Sequence, residues 1–431
     1  MGESDSGVNY IDRVVDGELD ELFSALPAIS LEGPRAVGKT QTALRRAETI
    51  WELDNPSQRE TLAADPTLLT AGQAPVLIDE WQRIPETWDV VRRAVDRNRT
   101  PGRFILTGSA TPTVRPTHSG AGRIVTLRMR PLSLSERGLQ QPTVFVRELL
   151  SDALHEVSGK SELGLQDYAE EIVRSGFPGL RADEGKPLRI QLDSYVRRIV
   201  DTDFKQLGRN VRKPAAVRSW MTAFAAATST AASWETIRDA ATAGVDDKPA
   251  KKTTSAYRDL LERLWILEEV PAWLPSRNYL SQLAKKSKHH LTDPALAARL
   301  LRVGADRLVK GDAGDLPVFP RDGTLLGHLF ESLVVQSLRV YAQAAEASVY
   351  HFRTRGGRHE VDAILERDDG RIVAIEIKIS RSVDDGDVKH LKWLEDQAGE
   401  DVIDTAVINT GSHAYRRKDG VAVIPAALLG P

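Results

Sequence analysis

Two groups of residues in this sequence have types and spacing that could do chemistry. The first is an eight-residue stretch, GPRAVGKT, that matches the pattern G-x-x-x-x-G-K-[ST] in full. Glycines in such a loop let backbone N–H groups turn toward phosphate oxygens, at the positive end of the helix that follows. The stretch consists of Gly33, Pro34, Arg35, Ala36, Val37, Gly38, Lys39 and Thr40. We therefore predict an ATP site in which Lys39 contacts the β- and γ-phosphates and Thr40 contacts Mg²⁺.

Two further apolar runs end in polar residues that would complete this site. Asp79 and Glu80 end the run PVLIDE, where Asp79 would hold Mg²⁺ and Glu80 would polarise the attacking water. The alternative is that both carboxylates begin the next helix and interact with its dipole. The run RFILTGSAT ends in Thr107, Gly108 and Ser109. We expect Ser109 beside the γ-phosphate, where it would sense the loss of that group, and the alternative is a plain turn.

Arginines crowd the stretch after this run. They are Arg115, Arg123, Arg128 and Arg130. An arginine finger stabilises the charge that develops on the γ-phosphate, and we choose Arg123 for this role, in cis or from a neighbouring subunit of a homo-oligomer. The alternative is that these side chains only solvate the surface.

The second group lies near the C-terminus, in EVDAILERDDGRIVAIEIKIS. Asp362 falls on one predicted strand, and Glu376 and Lys378 fall on one face of the next by period-two alternation. Glu331, in the predicted helix GHLFESLVVQSL, could point into the same site. The alternative is an ordinary hairpin with cross-strand ion pairs.

The elements that must position these residues follow from the hydrophobic pattern, which predicts an α/β protein. Residues 20–145 alternate short apolar runs with amphipathic stretches, as βαβ units of a parallel sheet do. The predicted strands there are Ala28–Leu31, Thr49–Leu53, Pro75–Ile78 and Arg103–Leu106. The predicted organisation is a lead at 1–19, an ATPase domain at 20–145, a helical region at 146–310 and a C-terminal α/β domain at 311–431. Residues 311–323 would form a linker at the start of the last domain, since they are rich in Gly, Asp and Pro.

The helical region contains a candidate winged helix at residues 234–270, with EEVPAW as the wing strand. Residues 201–300 hold 16 Lys and Arg against 11 Asp and Glu, a local basic excess that suits phosphate contacts. The candidate contacts are Lys248, Lys251, Lys252, Arg258, Lys285, Lys286 and Lys288. Because winged helices also bind proteins, we keep DNA, RNA and a protein as alternative partners.

The composition limits the remaining classes of function. The chain has 431 residues with 58 Lys and Arg and 61 Asp and Glu, so its net charge of −3 excludes a polybasic coat for nucleic acid. It contains no cysteine, which excludes disulfides, thiolate zinc sites and a cysteine nucleophile, and which fits a reducing cytoplasm. No apolar run approaches about 18 residues, and the acidic N-terminus lacks an apolar signal core. We therefore expect a cytoplasmic protein that does not enter a membrane.

Residues 20–140 resemble the prokaryotic AAA-type ATPases that carry a C-terminal domain of unknown function. The resemblance rests on the order and spacing of GPRAVGKT, LDNP, Asp65-Pro66, LIDEWQRIPE, FILTGS, Gly122-Arg123 and PLSLSE. Trp81 replaces the small aliphatic residue expected before the glutamine, and the likeness continues through GFP at 176–178 to the C-terminus. The resemblance implies ATP binding and hydrolysis.

The C-terminal region is similar to the restriction-endonuclease-like fold in the set Glu331, Asp362, Glu376 and Lys378 and in its α-βββ-α-β order. That resemblance implies a nuclease-like module that acts on nucleic acid, in which the carboxylates hold one or two Mg²⁺ ions and the lysine orients or activates the water that attacks a phosphodiester. Three hypotheses follow. The chain is an ATPase whose nucleotide state governs a Mg²⁺-dependent nuclease module, a nucleotide-gated protein that only binds DNA or a partner, or a regulatory ATPase that acts on a protein.

Overall fold

A computed structural model describes residues 10–111, 120–207, 213–242, 250–274, 286–310 and 324–431. The chain divides into two units, Met1–Met129 and Arg130–Pro431. The sequence predicts domain ends at residues 145 and 310; the first of the two units ends at Met129, and the second runs from Arg130 to Pro431. The predicted linker at 311–323 lies outside the described residues.

The first unit is built on a five-stranded sheet of order β2-β3-β4-β1-β5 in which every neighbouring pair is parallel. The strands are β1 (Ala28–Glu32), β2 (Thr49–Glu52), β3 (Val76–Asp79), β4 (Phe104–Gly108) and β5 (Val125–Arg128). The first four agree with the predicted strands to within two residues at either end. Parallel strands buried on both faces are apolar throughout, which is why their sequences are readable as strands.

Five helices accompany this sheet. They are α1 (Val14–Ala25), α2 (Lys39–Leu44), α3 (Pro56–Ala64), α4 (Leu68–Ala71) and α5 (Glu86–Arg97). Helix α5 buries Trp88, Val91 and Val95, the spacing that places side chains on one helical face. Helix α1 buries Val15 and Leu19 in the same core as β1. Val15 and Leu19, which fall within the predicted lead at residues 1–19, therefore belong to this core.

The second unit begins with mostly helical elements. They are β6 (Val144–Phe145), α6 (Val146–Leu149), β7 (Gly159–Lys160), α7 (Leu165–Arg174), α8 (Gly185–Arg198), α9 (Phe204–Gln206), α10 (Pro214–Ala226), α11 (Trp234–Ala241), α12 (Lys251–Arg263), α13 (Pro294–Leu300) and α14 (Ala305–Lys310). After α12, antiparallel bridges join Leu267 to Leu291 and Val270 to Lys288. A parallel bridge then joins Ala272 to His351.

The remaining elements follow the predicted α-βββ-α-β order. They are α15 (Thr324–Ala344), β8 (Ser348–Arg353), β9 (Glu360–Glu366), β10 (Ile372–Ile377), α16 (Asp385–Ala398) and β11 (Val402–Asn409), followed by β12 (His413–Arg416), β13 (Ala422–Pro425) and β14 (Leu429–Gly430). Seven strands form a sheet of order β7-β12-β13-β11-β10-β9-β8, and β14 pairs with β6. Strand β10 is antiparallel to β9 and parallel to β11, so α16 supplies the crossover that a parallel pair needs.

The core under this sheet includes Ile364, Ala374, Leu391 and Val407. The polar residues of these strands that lie outside this core form the candidate site. Across the described part of the chain, no helix is both long enough and apolar enough to cross a membrane.

Candidate functional site

The loop of residues 33–40 joins β1 to α2 at the carboxyl edge of the first sheet, where open α/β sheets bind ligands. Gly38 precedes α2 with a φ of 104°, in the region that favours glycine. A Cβ atom on Gly33 would lie 2.1 Å from the carbonyl oxygen of Met129, so that position has no room for a side chain. Both motif glycines are therefore required by the backbone.

Lys39 points back into this loop. Its side chain is nearly buried, at 5% exposure, and its ammonium donates to the carbonyl oxygens of Gly33 at 3.0 Å and Pro34 at 2.8 Å. Burial lowers the pKa of Lys39 to about 8, although the carboxylates of Glu80 and Asp79 act in the opposite direction. The loop thus encloses a positive charge in a poorly solvated position, which suits an anionic ligand.

A hydroxyl from the loop and a carboxylate from β3 meet beside Lys39. Thr40 Oγ1 donates to Asp79 Oδ1 at 2.7 Å, and the hydroxyl of Thr107 donates to the same oxygen. Burial raises the pKa of Asp79, and these two hydrogen bonds lower it only in part. Hydroxyl and carboxylate oxygens are the donors that Mg²⁺ prefers, so Thr40 and Asp79 fit the magnesium ion of an ATP site.

Glu80 follows β3 in a left-handed conformation, with φ of 56°. Its Oε2 accepts hydrogen bonds from Gln82 Nε2 at 2.6 Å and from Ser109 Oγ at 2.9 Å. Glu80 directly precedes a short 3-10 helix, Trp81–Arg83, to which its side chain makes no capping hydrogen bond, and helix α5 begins only at Glu86. Sequence analysis missed Gln82, whose polar side chain two positions after Glu80 was the available signal.

Ser109 therefore lies at this carboxylate, and the neighbouring end of β4 is also tightly packed. A Cβ atom on Gly108 would lie 2.9 Å from Trp81 Nε1. Together, the ends of β1, β3 and β4 bring the loop, Asp79, Glu80 and Ser109 to one edge of the sheet, as predicted for parallel strands.

Arg123 is not part of this group. Its Nε donates to Asp96 Oδ1 at 2.8 Å, near the end of α5, and its side chain is 39% exposed. Arg123 precedes β5, which runs parallel to β1, so it lies at the amino edge of the sheet, opposite the loop. The expectation that Arg123 acts in cis is therefore wrong for this structure, because strand direction separates it from the phosphates.

The other arginines of that stretch take different positions. Arg128 lies at the carboxyl end of β5, on the side of the loop, and its charge contributes to lowering the pKa of Lys39. Arg130 belongs to the second unit, where its Nε donates to Glu268 Oε1 at 2.8 Å. Arg115 lies outside the described residues.

The second unit gathers carboxylates around a lysine that sequence analysis placed elsewhere. Lys288 Nζ lies 2.9 Å from Glu331 Oε1, 2.9 Å from Asp362 Oδ1 and 3.2 Å from Glu360 Oε1. We define these four residues with Glu376 as the carboxylate cluster. The Lys288 side chain is 3% exposed, so its predicted contact with nucleic acid phosphates is wrong, because the carboxylates enclose its charge.

The predicted set Glu331, Asp362, Glu376 and Lys378 does converge. Asp362 Oδ2 accepts from the backbone N–H of Ile377, next to Glu376, and continuing the β9–β10 register by one residue places Asp362 opposite Glu376. Lys378 Nζ donates to Glu376 Oε1 at 2.7 Å. Helix α15, strand β9 and strand β10 thus contribute to one site.

Burial dominates the electrostatics of this cluster. It raises the pKa of Glu331 to about 8 and that of Glu376 to about 8, and the Asp362 charge acts in the same direction on both. Burial also acts to raise the pKa of Asp362, but the Lys288 ammonium, the Ile377 N–H and the Lys378 charge together hold that pKa below its usual value. The negative charge of Asp362 is therefore paired with the positive charge of Lys288.

The cluster does not fit the divalent metal that its resemblance to a nuclease implies. An ammonium already lies among the oxygens that would be metal ligands. Within the ranges that the structure describes, no three or more His, Cys, Asp or Glu side chains are arranged to hold a metal ion.

The remaining basic residues of the middle region lie at or near the surface of α12 and its surroundings. Lys251 is exposed and pairs with Glu235 at 2.8 Å. Arg258 pairs with Glu262 at 2.6 Å and lies over the ring of Trp234. Lys252 and Lys286 are exposed, whereas Lys248 and Lys285 lie outside the described residues.

Comparison with protein families divides the chain in three. The model of an AAA domain matches residues 26–138. Models of two domains of unknown function, DUF8612 and DUF4143, match residues 165–307 and 326–429. Uncharacterized proteins of Mycobacterium bovis and Mycobacterium tuberculosis are each 27% identical over 424 residues, which is 96% of this chain and 83% of theirs.

Solved structures give weaker likenesses. The Walker-type ATPase of Pyrococcus abyssi has a TM-score of 0.39 and 15% identity, over 68% of this chain and 96% of that one. The ORC2 protein of Aeropyrum pernix has a TM-score of 0.30 and 14% identity, over 71% of this chain and 98% of that one. The similarity of residues 26–138 to an AAA domain depends instead on the family model and on the loop of residues 33–40, which that model covers. Residues 26–138 match the model of an AAA domain and contain the complete phosphate-binding loop pattern, and they are followed by two regions that match domains of unknown function.

Proposed function

We propose that the first unit binds ATP with Mg²⁺ and hydrolyses it at the loop of residues 33–40. The observation that carries this proposal is the contact between Thr40 and Asp79 beside the Lys39 ammonium. Thr40 and Asp79 would hold Mg²⁺, which supplies charge neutralisation on the β- and γ-phosphates. Lys39 would add a second positive charge on the same oxygens.

Glu80 is the proposed general base. A base must lie within hydrogen-bond reach of the water that it activates, and its carboxylate must be held in one direction. The hydrogen bonds from Gln82 and Ser109 orient Glu80 Oε2 and leave Oε1 without a side-chain donor among the contacts described above. Gln82 and Ser109 are therefore positioning residues for Glu80.

The proposed arginine finger is Arg123 of a neighbouring subunit in a homo-oligomer. Its place at the amino edge of the sheet supports this arrangement over one within the same subunit. Its exposed ion pair with Asp96 would have to open for the guanidinium to reach a phosphate, and exposed pairs of this kind contribute little to stability.

For the second unit we propose that nucleotide state governs the binding of DNA, RNA or a protein without cleavage. The Lys288 ammonium among the carboxylates favours this function over a nuclease. Helices α11 and α12, followed by the two antiparallel bridges, support the winged-helix interpretation. The alternative is a Mg²⁺-dependent nuclease, which the α-βββ-α-β order supports.

Exchange of Glu80 for glutamine tests the ATPase proposal. Glu80→Gln keeps the acceptor oxygen and the size of the side chain but removes the base, so ATP binding is retained while kcat falls by about 10²- to 10⁴-fold. Glu86→Gln is the matched control, because Glu86 is exposed at the start of α5 and should leave turnover unchanged. ATP-dependent thermal stabilisation measures binding, and phosphate release measures turnover. Wild-type turnover in Glu80→Gln would refute the assignment.

One experiment distinguishes binding without cleavage from nuclease activity in the second unit. Labelled DNA and RNA are incubated with the protein and Mg²⁺ or Mn²⁺, with and without ATP. Retention of the nucleic acid without shortening supports a binding module. Cleavage that disappears in Glu376→Ala would instead establish the nuclease alternative.

A further inference from the structure

The centre of the carboxylate cluster is filled by a cation that belongs to the chain. Three carboxylates lie within 3.2 Å of Lys288 Nζ, and the Lys288 side chain is almost fully buried. An ammonium removed from water costs several kcal/mol unless opposite charges surround it. The carboxylates of Glu331, Glu360 and Asp362 therefore offset the cost of burying the Lys288 ammonium, and the ammonium offsets the cost of burying these carboxylates.

Backbone pairing fixes where Lys288 enters the cluster. The N–H of Lys288 donates to the carbonyl of Val270, and the N–H of Val270 donates to the carbonyl of Lys288, both at 2.9 Å. Three residues further along the first segment, the N–H of Trp273 donates to the carbonyl of His351 in β8 at 2.6 Å. The two segments are thus attached to the edge strand of the sheet that carries Asp362, so the ammonium is placed by the fold.

The cluster has more oxygen atoms than this ammonium satisfies. Glu376 Oε1 accepts from Lys378, but Glu376 Oε2 is buried and has no hydrogen-bond partner in the described structure. The Glu376 side chain is 6% exposed and interacts electrostatically with Asp362. A buried carboxylate oxygen without a partner is a position that a cation or a proton can occupy.

We infer that Lys288 occupies the position of a divalent cation, and that its ammonium keeps Mg²⁺ and Mn²⁺ out of the carboxylate cluster. A divalent ion would bring two positive charges where the ammonium brings one, and oxygen atoms are the ligands that both ions prefer. The inference goes beyond ATP hydrolysis, because no residue of the loop at 33–40 takes part. Removing the lysine side chain leaves the carboxylates facing a space that a hydrated divalent ion can enter.

Titration of Mn²⁺ into the nucleotide-free full-length protein tests this inference, with free Mn²⁺ measured by electron paramagnetic resonance. Lys288→Ala should gain a site that binds Mn²⁺ at least about tenfold more tightly than any site of the wild type. Lys286→Ala is the matched control, since Lys286 is exposed two residues away and its loss changes the net charge equally. The new site should disappear when Asp362→Asn is added to Lys288→Ala.

Stability provides a second measurement. Mn²⁺ should raise the thermal midpoint of Lys288→Ala by more than it raises that of the wild type, because the variant adds a set of carboxylates that lack the Lys288 ammonium. If Lys288→Ala does not fold, the double variant Lys288→Ala, Glu331→Gln carries one less repelling charge and should bind Mn²⁺ more tightly than the wild type. Equal Mn²⁺ affinity in the wild type and in whichever variant folds would overturn the inference. That result would leave the ATPase proposal intact, since turnover does not enter the measurement.

Discussion

Lys39→Met should make the nucleotide-free protein more stable while abolishing ATP binding. The buried Lys39 ammonium has its pKa lowered from 10.5 to about 8, and each pKa unit corresponds to about 1.36 kcal/mol. The charged form therefore costs about 3 kcal/mol of folding free energy at neutral pH. Methionine keeps the apolar stem, and the loss of a donor to the carbonyls of Gly33 and Pro34 costs about 1 kcal/mol. The expected net gain is about 2 kcal/mol.

The pH dependence of this gain identifies its cause. Between pH 8 and 10.5 the unfolded chain keeps a proton on Lys39 that the folded protein has released. Stability rises with pH wherever the unfolded state binds more protons. The free energy of unfolding of the wild type therefore rises relative to that of Lys39→Met over this range. The advantage of the variant should be full below pH 8 and should shrink as the pH rises toward 10.5.

Urea denaturation of both proteins without nucleotide, at several values from pH 7 to pH 10, measures this difference. Lys252→Met is the control, because Lys252 is exposed and its loss should change stability very little. The reasoning is refuted if Lys39→Met is less stable than the wild type at pH 7. It is refuted equally if the difference between the two proteins does not change with pH.

Two further predictions concern buried carboxylates of the second unit. Asp293 is fully buried and accepts from Ser175 Oγ at 2.6 Å and from the N–H of Gly176 at 2.8 Å, so Asp293→Ala should lower the free energy of unfolding by about 3 kcal/mol in urea denaturation. An effect below about 1 kcal/mol would show that these donors find other partners. Burial acts to raise the pKa of Glu171, but Arg137 and a second arginine lower it overall, so Glu171→Gln should cost about 3–5 kcal/mol at pH 7. Since that pKa lies below its unfolded value of 4.5, the wild type loses the contribution as the pH falls through it, and calorimetry should show the two proteins converging in acid.

The phosphate loop and the strands around it could be predicted because their information is local. The glycine spacing of residues 33–40 is contiguous, and buried parallel strands are short apolar runs. Parallel strands also end at the same edge of a sheet, so the ends of β3 and β4 could be assigned to the site in advance. Gln82 was missed because its role depends on the turn after Glu80, where the backbone is left-handed.

Strand direction decided the place of Arg123. The sequence shows that arginines are frequent between β4 and β5, but it does not show at which edge of the sheet each one lies. Because β5 runs parallel to β1, the residues before it lie away from the loop and Arg128, at its end, lies toward it. Proximity in sequence to a site residue is therefore no measure of proximity in space.

The carboxylate cluster shows the same limit more strongly. Period-two alternation placed Glu376 and Lys378 on one face, since side chains alternate along any strand, and allowed Asp362 to share that face across a hairpin. Lys288 lies 43 residues from Glu331 and 74 from Asp362, in a basic stretch whose composition is typical of a solvated surface. The segment of Lys288 pairs with Val270, and Trp273 pairs with β8. Only these backbone contacts place the ammonium in the cluster. The sequence by itself determined which carboxylates share a face, and the tertiary structure decided which cation they hold, because that cation comes from a segment distant in the chain.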